Sequence, residues 1–271
     1  MAVSPDARLR PPSRRTHPPA AAAPDRHSSD ATTRAVARIG FGAWGIDPGP
    51  CPVGRDTTRP ALKERTMHSK LIALDFDGTL ADSFACFRTS LNELAARHGF
   101  RALDDALLDQ ARGLSAREVM QLLGVPLWKT PRITVEMRRR MSERAAQIRL
   151  FPGVDDTLRQ LAARGVRIAI ATSNAEGLVH TTLGAAGGLV TDFSCGLSVF
   201  GKKRKLEALV ASAGLRPEQA LYVGDEIRDA QAAQAAGIPF RGVAWGYTAP
   251  SALQPHCDAP LLERPEDLLA M

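Results

Sequence analysis

Short apolar runs that each end at a polar residue dictate the class of fold open to this chain. The three clearest runs are Lys70–Leu74, Val166–Ala171 and Ala220–Val223, which end at Asp75, Thr172 and Gly224-Asp225. Runs of this length and composition are typical of strands buried on both faces of a parallel sheet. Residues 240–245 form a further candidate strand, and residues 191–195 form a weaker one.

Segments of helical length separate these runs. The predicted helices cover residues 153–164, 174–186, 202–213 and 226–236. Strands that alternate with helices predict an α/β fold, with a Rossmann-like parallel sheet covered by helices on both faces. Ligands of such sheets bind at the carboxyl ends of the strands, which is where the polar residues stand.

One connection is too long for this pattern. About 75 residues separate Asp77 from Phe151, far more than the usual strand-to-helix loop. Within it, residues 83–98, 104–112, 115–123 and 130–149 fit helices. We therefore predict an inserted helical cap domain at residues 81–150, between the two parts of an α/β core at residues 67–80 and 151–271.

The first 66 residues differ from the rest of the chain. They are rich in Pro, Ala and Arg without helical or strand periodicity, which predicts a disordered extension. They carry 11 Lys+Arg and 6 Asp+Glu, whereas the remainder carries 24 and 23, so the net charge of +6 is no sign that the folded part binds nucleic acid. A GxGxxG pattern at residues 40–45 lacks the flanking strand and helix of a dinucleotide site. Translation could begin at Met67, and a basic arm is the alternative.

No apolar run reaches the roughly 20 residues of a membrane span, and the N-terminus lacks the apolar core of a secretory signal. A cytoplasmic location is therefore expected. The four cysteines form no CxxC pair, which argues against a zinc site or a disulfide framework.

The segment Asp75-Phe76-Asp77-Gly78-Thr79-Leu80 carries the strongest chemical signal. Its two carboxylates can reach one crevice if the chain turns between them, and Gly78 permits a tight turn. One carboxylate can then attack while the other moves protons. A polar strand end with a turn is the simpler alternative.

This segment resembles the first motif of the haloacid dehalogenase-like hydrolase superfamily, and in particular its phosphoglycolate phosphatase-like phosphatases with a helical cap. The resemblance covers about residues 70–250. It implies a phosphatase that hydrolyses a small phosphomonoester, with Asp75 as the covalent nucleophile and Asp77 as the general acid and base. Thr79 would fix the loop that carries Asp77 and border the phosphate.

Two further motifs follow in family order. Thr172, with Ser173 and Asn174, matches the hydroxyl residue that binds a phosphate oxygen, although a helix cap is the alternative. Lys202 matches the family lysine, whose charge offsets that of the phosphoryl group. Lys203 and Lys205 leave that assignment open by one or three positions.

The fourth motif contains Asp225 and Asp229, which share one face of a predicted helix start. The resemblance implies that Mg²⁺ is bound by Asp75, Asp225 and the carbonyl of Asp77, with Asp229 in support. A capped, charged helix start is the alternative.

The resemblance also separates branches of the superfamily. Its dehalogenases lack the second aspartate, so Asp77 disfavours dehalogenation. Phosphonate cleavage would need a cap lysine, and Lys129 is the single lysine of residues 81–150. A phosphosugar mutase stays open, as does a non-catalytic protein that binds a partner or nucleic acid on the same fold.

The insert does not identify the substrate. Arg112 or Arg117 could meet a carboxylate or a second phosphate, and Arg138-Arg139-Arg140 is interpreted as a solvated face. Trp245-Gly246-Tyr247 either borders the pocket or packs the end of the last strand. A small phosphorylated metabolite is the expected partner, and the oligomeric state is undetermined.

Overall fold

The computed structural model describes residues 69–196 and 201–271. The extension predicted over residues 1–66, its GxGxxG pattern and the alternative start at Met67 lie outside the described residues.

The described strands form one main sheet and one short ribbon. In chain order they are β1 (Leu71–Leu74), β2 (Ala81–Asp82), β3 (Arg149–Leu150), β4 (Arg167–Ala171), β5 (Asp192–Ser194), β6 (Ala220–Gly224) and β7 (Phe240–Gly242). The main sheet is parallel throughout, in the order β5-β4-β1-β6-β7. The predicted parallel α/β sheet is confirmed, including its weakest strand at the edge.

The α-helices among the described residues lie between these strands, except for the last, which follows β7. They are α1 (Phe84–His98), α2 (Asp105–Arg112), α3 (Ala116–Leu122), α4 (Thr130–Glu143), α5 (Val154–Ala163), α6 (Glu176–Leu183), α7 (Lys202–Ser212), α8 (Ile227–Ala236) and α9 (Pro250–Leu253). None of them has both the length and the apolar character that a membrane crossing requires.

The central strand β1 explains why both faces of the sheet are covered. Ile72 and Leu74 belong to a buried cluster with residues of α5 and α6, whereas Leu71 and Ala73 belong to a second cluster with residues of α7 and α8. Successive side chains of a strand point to opposite faces, so a continuous apolar run fills both layers. Each fully buried aliphatic side chain stabilises the fold by about 2 kcal/mol. Burial of the strands therefore also holds in place the polar residues that follow their carboxyl ends.

The long insert is closed by the ribbon. Ala81 and Asp82 of β2 pair antiparallel with Leu150 and Arg149 of β3, immediately before and after the helical segment. The helix predicted to reach residue 149 was therefore too long, because α4 ends at Glu143 and the pairing requires extended backbone. We retain residues 81–150 as the proposed cap domain.

The insert has a small buried cluster of its own. Its members are all aliphatic and come from α1, α2 and the turns beside α2 and α3: Leu91, Leu103, Leu107, Ala111 and Leu123. These side chains pack α2 and the neighbouring turns against α1.

The last predicted strand also ends early. It stops at Gly242, and beyond it Ala244 N donates to Leu262 O at 2.9 Å. Residues 244–248 thus leave the sheet as a loop that passes over the carboxyl ends of β1 and β6.

Candidate active site

Three strand ends bring polar side chains into one buried region. Asp75 follows β1, Thr172 follows β4 and Asp225 follows β6, and all three residues are buried. Because the strands are parallel neighbours, their carboxyl ends meet at the same edge. Polar groups buried this deeply need partners, and those partners define the site.

Lys202, at the start of α7, links two acidic residues of this edge. Its Nζ lies 2.9 Å from Asp75 Oδ2 and also forms an ion pair with Asp229. Asp229 is held further by the Tyr222 hydroxyl, which donates to Oδ1 at 3.2 Å, and by Glu226 N, which donates to Oδ2 at 3.0 Å. Asp229 is therefore placed mainly to hold the lysine beside Asp75.

The two neighbouring lysines lie elsewhere. Lys203 Nζ pairs with Glu207 at 3.4 Å, and both side chains are about half exposed. Lys205 Nζ donates to the carbonyl oxygens of Thr172 at 2.5 Å and Gly196 at 2.7 Å, and so ties together the ends of β4 and β5. The structure thus brings the first of the three lysines to the predicted nucleophile.

Asp225 is enclosed by backbone and hydroxyl donors. Thr79 Oγ1 donates to its Oδ1 at 2.9 Å, and Tyr247 N donates to its Oδ2 at 2.8 Å. Gly78, with φ of 73°, and Gly246 lie so close that a Cβ on either would overlap Asp225. The Thr79 hydroxyl is thereby committed to Asp225, whereas the sequence predicted a role beside the phosphate.

Both carboxylate oxygens of Asp77 have a donor. Ser83 Oγ donates to Oδ1 at 2.7 Å, and Asn174 Nδ2 donates to Oδ2 at 2.7 Å. The Asn174 side chain, predicted to bind phosphate, therefore contacts Asp77 in this structure. Asp77 lies two residues after Asp75, so an acid–base group and a nucleophile can face one substrate.

The predicted phosphate loop follows β4. Thr172 Oγ1 accepts a hydrogen bond from Asn174 N at 3.1 Å, which leaves its hydroxyl hydrogen available. Thr172 is not the cap of α6, since Ala175 holds that position without a side-chain bond. Arg138 Nε donates to Ser173 O at 2.8 Å, so the interpretation of Arg138 as part of a solvated face was wrong.

Arg112 and Arg117, the two arginines of the insert that were predicted to meet a substrate, do not lie among the buried carboxylates. Arg112 Nη2 donates to Gly246 O at 3.3 Å, and Arg112 O accepts from Ala249 N at 2.7 Å. Arg117 is exposed. Arg112 thus joins the insert to the loop that encloses Asp225.

Burial dominates the electrostatics of Asp75. It raises the pKa of this carboxyl to about 7, against the opposing charge of Lys202. Burial would also raise the pKa of Asp229, but Lys202 and Arg228 outweigh it and hold the pKa below its usual range. The same burial would lower the pKa of Lys202, yet the charges of Asp229 and Asp75 raise it, so the lysine stays charged.

The remaining two acidic groups resist ionisation. Burial, with the charge of Glu226 in second place, raises the pKa of Asp225 well above its ordinary value. Burial also raises the pKa of Asp77, although the hydrogen bonds from Ser83 and Asn174 oppose the shift. A raised pKa suits a carboxyl that must give up a proton.

The residues present fit a divalent cation. Asp75, Asp225 and Asp229 each offer a carboxylate oxygen, and these oxygens lie within 4.8 Å of one another. Asp225 is 0% exposed and has no ion pair within the described ranges. A buried carboxylate without a positive partner is costly, and an all-oxygen donor set is the type that Mg²⁺ prefers.

Two residues of this network were missed from the sequence as functional groups. Ser83 was interpreted as a helix start, and Tyr247 was left between the pocket and strand packing. Both hydroxyls lie in the network of Asp77. The position of Ser83 shortly after Asp77 is only a weak sequence indication of a role in the site. The sequence gives no such indication for Tyr247, because its proximity depends on where the loop of residues 244–248 folds.

Comparison with known proteins places this geometry in context. Residues 72–243 match the family model described as haloacid dehalogenase-like hydrolase. The phosphoglycolate phosphatase of Synechococcus elongatus is 34% identical over 200 residues, which are 73% of this chain and 94% of that protein. The phosphoglycolate phosphatase of Yersinia pseudotuberculosis is 31% identical over 189 residues, covering 65% of this chain and 81% of that protein.

Solved structures agree at the level of the fold. The structure of CbbY from Rhodobacter sphaeroides in complex with phosphate superposes with a TM-score of 0.59 at 22% identity, covering 73% of this chain and 96% of that one. At this identity the likeness concerns the fold alone.

Proposed function

Because the chain belongs to the haloacid dehalogenase-like hydrolase family, we propose that it transfers the phosphoryl group of a small phosphomonoester to Asp75 and then to water. It is a hydrolase of phosphomonoesters. The observation that carries the finer proposal is the position of Lys202, whose Nζ lies 2.9 Å from Asp75 Oδ2 in a buried cluster of carboxylates. A lysine so placed keeps one Asp75 oxygen oriented and leaves the other for attack.

In the first step, Asp75 attacks phosphorus while the bond to the leaving oxygen breaks. Asp77 gives its proton to that oxygen, so the leaving group departs as an alcohol. Thr172 can donate its free hydroxyl hydrogen to a phosphoryl oxygen, and Lys202 offsets the negative charge.

In the second step, water hydrolyses the aspartyl-phosphate. Asp77 is now a carboxylate and takes a proton from the attacking water. Hydrogen bonds from Ser83 and Asn174 stabilise this carboxylate. Asp75 is restored and phosphate leaves.

Asp75, Asp225 and the carbonyl of Asp77 would hold Mg²⁺, and Asp229 would support them through Lys202. When bound, the cation supplies positive charge that offsets the charge of the phosphoryl oxygens. Asp225 is buried and has no cationic partner among the described residues, which supports this assignment.

Phosphoglycolate is the first substrate to test, because curated relatives at up to 34% identity carry that activity in their names. A cytoplasmic location stays a prediction.

The decisive assay measures phosphate release by the full chain from a panel of phosphomonoesters, with Mg²⁺ and with a chelator. We expect release from phosphoglycolate that depends on Mg²⁺. Absence of release from every phosphomonoester would contradict the proposed function. Conversion of a sugar phosphate to its positional isomer without phosphate release would favour the mutase.

A further inference from the structure

Tyr247 connects two carboxylates of the site through two different atoms. Its backbone N–H donates to Asp225 Oδ2 at 2.8 Å, and its hydroxyl oxygen lies 2.6 Å from Ser83 Oγ. Ser83 Oγ donates to Asp77 Oδ1 at 2.7 Å. Since Ser83 has one hydroxyl hydrogen and gives it to Asp77, Tyr247 must donate to Ser83. A directed chain of donors therefore runs from Tyr247 through Ser83 to Asp77.

Ser83 occupies the N-cap position of α1 but does not form the side-chain hydrogen bond that is usual there. It precedes the first residue of α1, where a serine side chain normally accepts from a backbone N–H of the first turn. No such bond is formed, although Ser83 is 0% exposed. Its hydroxyl is directed to Asp77 instead, which a purely structural helix cap does not explain.

The position of Tyr247 is fixed from both sides. Its ring packs edge-on against Phe84, with ring centroids 5.1 Å apart, and in a tilted arrangement against Phe87, with centroids 5.7 Å apart. Its backbone neighbour Gly246 lies against Asp225 and accepts a hydrogen bond from Arg112. The hydroxyl at the head of the donor chain is thereby held between the insert and the core.

We propose that Ser83 and Tyr247 are positioning residues for Asp77, an inference that rests on the proposed function. They hold the Asp77 carboxyl in one orientation toward the leaving oxygen of the phosphomonoester. As Asp75 forms its bond to phosphorus and the bond to the leaving oxygen breaks, the proton of Asp77 passes to that oxygen. Asp77 is left as a carboxylate that accepts from Ser83. Misplacement of this group would slow the first step, the transfer of the phosphoryl group to Asp75, only for substrates whose leaving group needs the proton.

The test compares two leaving groups. Variants Ser83→Ala, Tyr247→Phe and the double variant are assayed with phosphoglycolate, whose alkoxide must be protonated, and with dinitrophenyl phosphate, whose leaving group departs without a proton. The parameter is kcat/KM, because it reports the steps up to the first irreversible one. We expect losses of about 10- to 100-fold for phosphoglycolate and below about 3-fold for dinitrophenyl phosphate.

An interaction test separates positioning from general damage. The double variant should lose no more on phosphoglycolate than the worse single variant, and neither substitution should lower the residual activity of Asp77→Ala further. Ser90→Ala is the matched control, because Ser90 is also a buried serine of this helix region and its hydroxyl has no partner among the described residues. It should keep both activities.

Equal losses on the two substrates, or losses that persist in the Asp77→Ala background, would overturn the inference while leaving the phosphatase intact. A wild-type chain that releases phosphate from no phosphomonoester of the panel, dinitrophenyl phosphate included, would overturn the proposed function, and this inference with it. Circular dichroism melting of each variant identifies any that does not fold, and Tyr247→Phe, which removes one oxygen, then carries the test alone.

Discussion

The edge of the parallel sheet and the helical insert differ in how their charged side chains are buried and paired. At the sheet edge, Asp75, Asp225 and Lys202 are buried or nearly so and meet one another or specific donors. In the insert, the ion pair of Arg139 with Glu143 lies at the surface, with its side chains 60% and 52% exposed. In our proposal the sheet edge carries the chemistry, whereas the insert contributes Ser83, which orients the acid Asp77.

This contrast predicts unequal effects of the same substitution in the two regions. Asp75→Asn preserves shape but removes the attacking carboxylate, so phosphate release should fall by at least about 1,000-fold. The matched control is Asp109→Asn in α2, an exposed carboxylate of the insert, which should retain activity. Phosphate release by Asp75→Asn at the wild-type rate would remove the distinction between the regions.

Two adjacent lysines sharpen the contrast within one helix. Lys202→Met should lower kcat by about 100- to 1,000-fold, because positive charge beside Asp75 is lost. It should also destabilise the fold by about 3–5 kcal/mol, since buried carboxylates lose their partner. Lys203→Met, which breaks an exposed pair with Glu207, should change both quantities little. Both quantities are measured, by steady-state assays and by urea unfolding. Similar effects of the two variants would contradict the assignment of Lys202 as the functional lysine.

Asp225 tests the cation site apart from turnover. At a Mg²⁺ concentration of about 100 times Kd, binding stabilises the native state by about 2.7 kcal/mol, which raises Tm by roughly 5–10 °C. Asp225→Asn should abolish this shift, whereas Asp109→Asn should keep it. A full Mg²⁺-induced shift in Asp225→Asn, measured by calorimetry, would show that the cation binds elsewhere.

The smallest predicted effect belongs to the insert and concerns pH. Hydrogen bonds from Arg132 and His98 lower the pKa of Glu136 to about 2. A folded-state pKa below the unfolded value of about 4.3 adds stability above that value, and this stability is lost as the pH falls toward about 2. Hydrogen exchange of residues 84–143 at about pH 5 and about pH 3 should therefore show less acid sensitivity in Glu136→Gln than in the wild type.

Glu143→Gln serves as the control for this pH effect, because Glu143 lies on the same helix and pairs with Arg139 at the surface. It should keep the acid sensitivity of the wild type. If Glu136→Gln loses protection in acid as steeply as the wild type does, the ion pairs of Glu136 do not stabilise the insert.

The same division explains what the sequence could reveal. Strands β1, β4 and β6 were predictable because buried parallel strands leave continuous apolar runs, and the residues that follow them must share one edge. Asp75, Asp77 and Asp225 were predicted in this way to lie at that edge, and their roles there stay predictions. The choice among Lys202, Lys203 and Lys205 could not be predicted. Side chains that are one or three positions apart at the start of a helix point toward different neighbours, and only the packed structure shows which one reaches Asp75.

The rest depended on contacts between distant segments. Ser83 and Tyr247 are 164 residues apart, and Arg112 meets Gly246 across 134 residues. No local pattern encodes such partners. The end of α4 at Glu143 escaped prediction for the same reason, because the chain beyond it extends to pair with Ala81 and Asp82.

The most direct test of the account is to trap the phosphorylated protein. Wild-type chain is mixed with radiolabelled phosphoglycolate and Mg²⁺, quenched in acid within milliseconds and digested for peptide mapping. We predict label on Asp75 that decays as phosphate is released, and no label in Asp75→Asn. Turnover without any labelled protein, or label on another residue, would contradict the assignment of Asp75 as the nucleophile.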